Sequence, residues 1–209
     1  MLCPACDADL PRLVGPLCPR CALASPAGAL CGRCLAQPPA YDATVAGLAY
    51  AFPADALVHA LKFRGELALA SLLGEILSAR ISGSDRVDLV LPVPLSSQRL
   101  RSRGYNQSAE IARRLEVRAP LELCLCQRER DTAAQSDLPW SERRRNVRGA
   151  FRCARPIAGG TVAVVDDVMT TGATLDEIAR VLKQAGAARV VNWVAARTYF
   201  ENAPSNAVS

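Results

Sequence analysis

The chain has 209 residues, half of them hydrophobic, enough for one full core and a small appendage, so a single main domain is expected. The formal charge is +5, and residues 98–155 hold 14 arginines against 7 acidic residues, a basic middle that suits phosphorylated metabolites or nucleic acid. No run of about 18 apolar residues occurs, and the N-terminus lacks the basic start and apolar stretch of a secretory signal. These absences exclude a spanning helix and set the expectation of a cytoplasmic protein.

Six of the nine cysteines form three CxxC pairs within the first 34 residues, so metal is expected rather than disulfides. Cys18-Pro-Arg-Cys21 and Cys31-Gly-Arg-Cys34 are two knuckles of the kind that gives a tetrahedral four-thiolate zinc site. With no open ligand position, the zinc would be structural. Cys3-Pro-Ala-Cys6 is a third knuckle, and six thiolates are too many for one ion. Cys3 and Cys6 are therefore read as half of an incomplete second site; if they pair with Cys18 and Cys21 instead, Cys31 and Cys34 are left over. Met1 lies only two residues before Cys3, which fits either a native start upstream or a pair that has lost its metal. Pro38-Pro39 closes this segment, giving a module over residues 1–39 and a main domain over residues 40–199.

Within Phe52 to Arg80 the apolar residues Leu57, Val58, Leu61, Leu69, Leu72, Leu73, Ile76 and Leu77 recur at helical spacing. Two amphipathic helices broken near Gly65 are expected. His59, the only histidine, falls on the first as a helix-face residue, and Lys62 is either an anion contact or a solvated lysine. Val87 to Val93 is a nearly continuous apolar run, the pattern of a strand buried on both faces. After it, Arg99, Arg101 and Arg103 alternate in a loop that leads through Gly104 to a helix beginning near Asn106. Their guanidinium groups suit a pyrophosphate.

Arg128 to Phe151 is polar and without clear period; a mobile lid or a disordered insert both fit. Cys124, Cys126 and Cys153 are expected as buried apolar fillers. Then Val162 to Val165 reads as a strand, Thr174 to Ala185 as a helix stopped by Gly186, and Val190 to Ala196 as a strand: a parallel βαβ unit. Residues 200–209 read as a disordered tail.

Between that strand and helix stands Asp166-Asp167-Val168-Met169-Thr170-Thr171-Gly172-Ala173-Thr174. Ligands of open parallel sheets bind beyond the carboxyl ends of the strands, which directs both acids at a site. Residues 170–174 offer successive amides and three hydroxyls at a helix N-terminus, favourable to a phosphate, and Gly172 permits close approach. The carboxylates cannot attract a phosphate, so they suit vicinal hydroxyls or a divalent cation; a ribose 5-phosphate supplies both groups. A plain strand end with a threonine-capped helix is the competing reading.

This segment resembles the phosphoribosyl pyrophosphate signature of the type I phosphoribosyltransferases. The resemblance implies a parallel sheet flanked by helices, ribose held by Asp166 and Asp167, phosphate held by Val168, Met169 and the loop from Thr170 to Thr174, and magnesium accompanying the donor. Further matches cover nearly the whole chain: the CxxC module, His59-Ala-Leu-Lys62-Phe-Arg64-Gly65, Pro92-Val-Pro94, Arg103-Gly-Tyr-Asn-Gln107, Thr132 to Gln135, Arg145-Asn146 and Gly149-Ala-Phe151. Together they resemble the ComF (competence protein F) or GntX-like family, which implies a link to competence, DNA uptake or DNA processing and leaves the acceptor unspecified.

Two functions follow as expectations. One is a phosphoribosyltransferase that binds phosphoribosyl pyrophosphate or a related ribose 5-phosphate compound. The other is a non-catalytic phosphoribosyl sensor or single-stranded-DNA binder that uses the cysteine module, the Arg143 to Arg145 run and the nearby Trp140 and Phe151, or that meets DNA-processing proteins.

Overall fold

The computed structural model describes residues 2–83, 86–130 and 146–199. In chain order it contains α1 (Pro4–Ala8), α2 (Gly32–Ala36), β1 (Ala43–Ala49), α3 (Ala54–Phe63), α4 (Ala68–Ile81), β2 (Leu89–Pro92), α5 (Ser97–Arg103) and α6 (Gln107–Ala112). There follow β3 (Cys126–Arg128), β4 (Phe151–Cys153), β5 (Thr161–Met169), α7 (Ala173–Gln184) and β6 (Arg189–Arg197). Four strands form a wholly parallel sheet in the order β1-β6-β5-β2, and β3 and β4 make a separate antiparallel pair.

Alternation along β5 divides the core in two. Val162 and Val164 pack with Leu175, Ile178 and Leu182 of α7, whereas Ala163 and Val165 pack with Val58 and Leu61 of α3, Leu73 and Leu77 of α4 and Ile111 of α6. A strand covered on both faces needs apolar residues on both, hence its continuous valine run. The cysteine module lies on the α7 face, where Leu13, Cys18, Cys21, Ala22 and Cys34 join the same apolar cluster as α7. It is part of the core rather than a hanging appendage.

The two helices around Gly65, the strand within Val87 to Val93 and the βαβ unit stand where their patterns put them. Three features differ. β1 had no expected element, because its Ala- and Gly-rich sequence has weak strand preference; it forms by pairing with β6, and a Cβ on Gly47 would meet the Ala195 carbonyl oxygen at 2.9 Å. The arginine segment is a helix, α5, capped by Ser96 and stopped by Gly104 at φ 83°. β5 also continues through both acids to Met169.

The expectation of three buried filler cysteines is corrected: Cys126 is buried, Cys153 is partly exposed and Cys124 is exposed, because they sit on or beside the short β3–β4 ribbon, of which only one face meets the core. The expected lid falls largely on residues 131–145, which lie outside the described residues with Thr132 to Gln135, Trp140 and Arg143 to Arg145; the tail beyond Tyr199 does too. No helix among the described residues is long and apolar enough to cross a membrane.

Candidate functional site

Asp166 and Asp167 stand at the carboxyl end of β5, an inner strand, where the parallel sheet directs ligands. Asp166 accepts a hydrogen bond from Ser108 Oγ at 3.0 Å and from the Asp167 amide at 2.9 Å. Asp167 is 3% exposed, accepts from the Val168 amide at 2.8 Å and lies 2.5 Å from Lys62 Nζ, a close ion contact. Lys62 thus meets a carboxylate of the site rather than open solvent.

Burial raises the Asp166 carboxyl to about 6, against the pull of Lys62 and of the Ser108 hydroxyl. Burial likewise lowers the Lys62 ammonium to about 8, with Asp166 acting the other way and Arg103 adding to the fall. Both groups carry charge that desolvation makes costly at neutral pH. His59 is exposed on α3 and packs on Phe63 with ring centroids 4.7 Å apart, as a helix-face residue does.

Ser108 reaches Asp166 because the preceding residues fix the start of α6. Gly104 ends α5 in the left-handed region, Tyr105 donates its hydroxyl to the Leu61 carbonyl, and Gln107 accepts from Arg103. Asn106 caps α6 by accepting from the Ser108 and Ala109 amides, and its own amide donates to the Val93 carbonyl at 3.0 Å, tying the helix to the end of β2.

The predicted pyrophosphate arginines separate. Side chains two apart on a helix point to nearly opposite faces while those four apart share one, so Arg99 and Arg103 lie together, each partly buried, and Arg101 is exposed. Arg103 stands 5.2 Å above the Phe63 ring and lines a cleft of about 220 Å³ with Lys62, Phe63, Gly65, Ser102 and Tyr105.

Beyond Met169 the chain turns through Thr170, Thr171 and Gly172 into α7. Gly172 has φ 81°, the left-handed conformation that favours glycine, and a Cβ there would also press on Met169 Cε at 2.7 Å and the Tyr41 hydroxyl at 2.9 Å. Thr171, Gly172 and Ala173 are buried, while Thr170 and Thr174 stay partly exposed at the two ends of the turn. The loop carbonyls are engaged from within the protein. Arg197 donates to the Met169 and Thr170 carbonyls at 2.9 and 2.5 Å, and Arg33 donates to that of Thr171. The Ala173 amide is bonded to Thr171 Oγ1; the Thr171 and Gly172 amides make no hydrogen bond among the described residues.

The sulfur atoms of Cys18, Cys21, Cys31 and Cys34 lie within 4.8 Å of one another, Cys21 and Cys31 being 3.6 Å apart. Zinc–thiolate bonds of about 2.3 Å in a tetrahedron place sulfurs roughly 3.8 Å apart, so this donor set fits zinc. Burial raises Cys21 to about 11 and drives Cys34 up as well; at Cys18 burial is outweighed by the amides of Cys31, Cys21 and Arg20, and it falls to about 7. A cation is what such crowded thiols favour. Cys3 and Cys6 are exposed and belong to no such group among the described residues, although Cys3 opens α1 with the backbone angles by which Cys31 opens α2, φ −70° and ψ 156°.

Local patterns singled out the acids, the loop and the knuckles, and the structure brings the sulfurs of two of those knuckles together. They gave no role to Ser108, Arg33 or Arg197, and left Lys62 open between an anion contact and solvent, of which the structure has it on the Asp167 carboxylate. The one signal available was Arg197 itself, a charge at the end of an otherwise apolar strand.

A family described as phosphoribosyl transferase domain matches residues 90–198. A DNA utilization protein, YhgH, of Salmonella typhi is 40% identical over 208 residues, covering 94% of this chain and 90% of its own. Competence protein F of Haemophilus influenzae is 31% identical over 174 residues, covering 77% and 75%. Among solved structures, a hypoxanthine phosphoribosyltransferase of Staphylococcus aureus aligns with 63% of this chain and 73% of its own, at 12% identity and a TM-score of 0.38. The matched domain spans more than half of the sequence and the relatives are alike over most of their length, so the chain belongs to the competence protein F (ComF or GntX-like) family and carries its type I phosphoribosyltransferase domain.

Proposed function

We propose that this protein binds phosphoribosyl pyrophosphate at Asp166 to Thr174 and transfers the phosphoribosyl group to an acceptor that serves DNA uptake or processing. The observation that carries the reading is the acid pair at the end of β5 running into a turn whose carbonyls are held by Arg33 and Arg197. Carbonyls held inward favour amides turned toward an anion, and the α7 dipole adds to the attraction. The 5-phosphate sits against residues 170–174, and Asp166 and Asp167 accept hydrogen bonds from the ribose hydroxyls.

Arg99 and Arg103 meet the pyrophosphate, and Arg101, exposed on the far side of α5, steers anions at longer range. Magnesium, when bound with the donor, neutralises charge developing on the pyrophosphate. In the transfer, the bond from the anomeric carbon to the pyrophosphate oxygen breaks, the pair leaving with pyrophosphate, while a lone pair of the acceptor forms the new bond and the acceptor atom loses its proton to water. The four-cysteine cluster holds structural zinc. The DNA link rests on relatives named for DNA utilization and competence.

Calorimetry with phosphoribosyl pyrophosphate and magnesium tests the site in wild type and Asp166→Asn. The variant keeps shape and loses the charge, so at least tenfold weaker binding is expected; equal affinity would remove Asp166 from the site. Pyrophosphate release with a panel of nucleobases, amines and single-stranded DNA then tests transfer. Tight binding without turnover on any acceptor makes the protein a sensor.

A further inference from the structure

We infer that Arg33 and Arg197 are positioning residues that bind the phosphate loop to the cysteine cluster, so that order in the loop depends on the metal held by Cys18, Cys21, Cys31 and Cys34. This rests on the reading of residues 166–174 as the ribosyl-phosphate site and of the cluster as a zinc site.

Arg197 closes β6 and is fully buried. Its Nε donates to the Cys21 carbonyl at 2.8 Å, and one terminal nitrogen donates to the carbonyls of Met169 and Thr170 at 2.9 and 2.5 Å and of Thr198 at 3.0 Å. One guanidinium therefore joins the first knuckle to the start of the loop. Arg33 lies inside the second knuckle and donates to the next carbonyl, that of Thr171. Three successive loop carbonyls, at 169, 170 and 171, are thus held by side chains fixed at the two halves of one cluster.

Two further ties close the gap. The Ala40 amide donates to Asp176 Oδ1 at 2.6 Å, fastening the end of the module to the first turn of α7, and Tyr41, buried, stands over Gly172. A cleft of about 60 Å³ lies between Arg33, Cys34, Tyr41, Thr171, Gly172 and Asp176, where the second knuckle faces the loop.

Electrostatics points the same way. Four thiolates around one zinc carry a net charge of roughly −2, and both guanidinium groups lie between this charge and the loop. Loss of the ion frees the four sulfurs to move apart. The cations then lose the field that holds them, and hydrogen bonds from charged donors are the strong ones. Each such bond contributes enough that its loss loosens its acceptor about tenfold.

Hydrogen exchange tests the coupling without any ligand. The amides of Ala173, Asp176 and Thr198 are bonded to Thr171 Oγ1, Gly172 O and Met169 O, so their exchange reports loop order. Strand amides at 162–165 serve as reference. Wild type with metal, wild type stripped by chelator and reductant, and metal-loaded Arg33→Ala are compared, with metal measured in each sample.

The expected result is exchange at the three loop-linked amides that rises about tenfold more than at the reference amides in both altered proteins, and a smaller further effect of stripping in Arg33→Ala than in wild type. Unchanged loop exchange after stripping overturns the inference, as does an equal rise in loop and reference amides. Metal-bound Arg33→Ala exchanging like wild type removes Arg33 from the role. Phosphoribosyl pyrophosphate affinity, measured alongside, should fall with stripping. Absence of binding by metal-loaded wild type would reject the proposed ligand while the exchange data still judged the coupling.

Discussion

Asp166 and Lys62 are held with charges that their surroundings disfavour, and this has consequences on two axes. A carboxyl whose folded value is raised from 3.8 to about 6 binds more protons folded than unfolded between those limits. Its contribution to stability therefore falls as pH rises from about 4 to about 6. Lys62, lowered from 10.5 to about 8, is the opposite case, and its contribution rises as pH climbs between those values. Asp166→Asn should lose the acidic slope and keep the basic one in denaturant midpoints recorded across pH; an unchanged acidic slope would mean that another group titrates there. Lys62 also neutralises a carboxylate that is 3% exposed. Lys62→Met should cost roughly 3 kcal/mol by leaving the Asp167 charge alone, and adding Asp167→Asn should restore most of it. Urea unfolding of the single and double variants measures both effects; additive losses would contradict the pairing.

At the scale of elements, two glycines at helix stops separate backbone conformation from packing. Gly65, between α3 and α4, has φ 73° with open space where a Cβ would stand. Gly186, after α7, has φ 113° and a Cβ there would meet the Ile157 carbonyl oxygen at 2.2 Å, a backbone atom that cannot swing aside. Gly65→Ala should therefore cost about 1 kcal/mol, the conformational part alone, and Gly186→Ala at least about 3 kcal/mol, since the α7–β6 connection must also shift. Thermal unfolding of the two variants checks the order, and equal losses would put the whole effect in the backbone angle. These stops were legible because helix spacing and glycine punctuation are local. So were the acid pair and the turn into α7. The partners of the site were not legible. Ser108 meets Asp166 across 58 positions, Arg33 meets Thr171 across 138 and Arg197 meets Cys21 across 176, and no periodicity carries such distances. The faces of the α5 arginines were not legible for a related reason: alternation reads as one edge in an extended chain and as two faces in a helix.

For the molecule as a whole, the two faces of the sheet are covered by different means. Helices α3, α4 and α6 cover one with ordinary apolar packing; α7, the β3–β4 ribbon and the cysteine module share the other. Cysteine spacing pointed to a group of thiols that could hold a metal ion, and the pairing of the Cys18–Cys21 and Cys31–Cys34 knuckles is the one in which four sulfurs converge. That the module is interior to the fold was not legible, since its buried residues Leu10, Leu13, Cys18, Cys21, Ala22 and Cys34 follow no helical or strand period. An ion bound by the folded cluster and lost on unfolding would stabilise the native state and so link metal to global stability. Wild type should hold about one zinc per chain, and chelation should lower the unfolding midpoint of the entire domain in one transition. Cys21→Ser should abolish binding and reproduce that loss, because Cys21 is buried within the cluster shared with α7. Cys6→Ser, at an exposed residue outside the cluster, should leave both metal content and midpoint unchanged. Plasma emission spectrometry and calorimetric scans decide it: two zinc ions per chain, or a Cys6→Ser protein depleted of metal, would show that the Cys3–Cys6 knuckle binds as well.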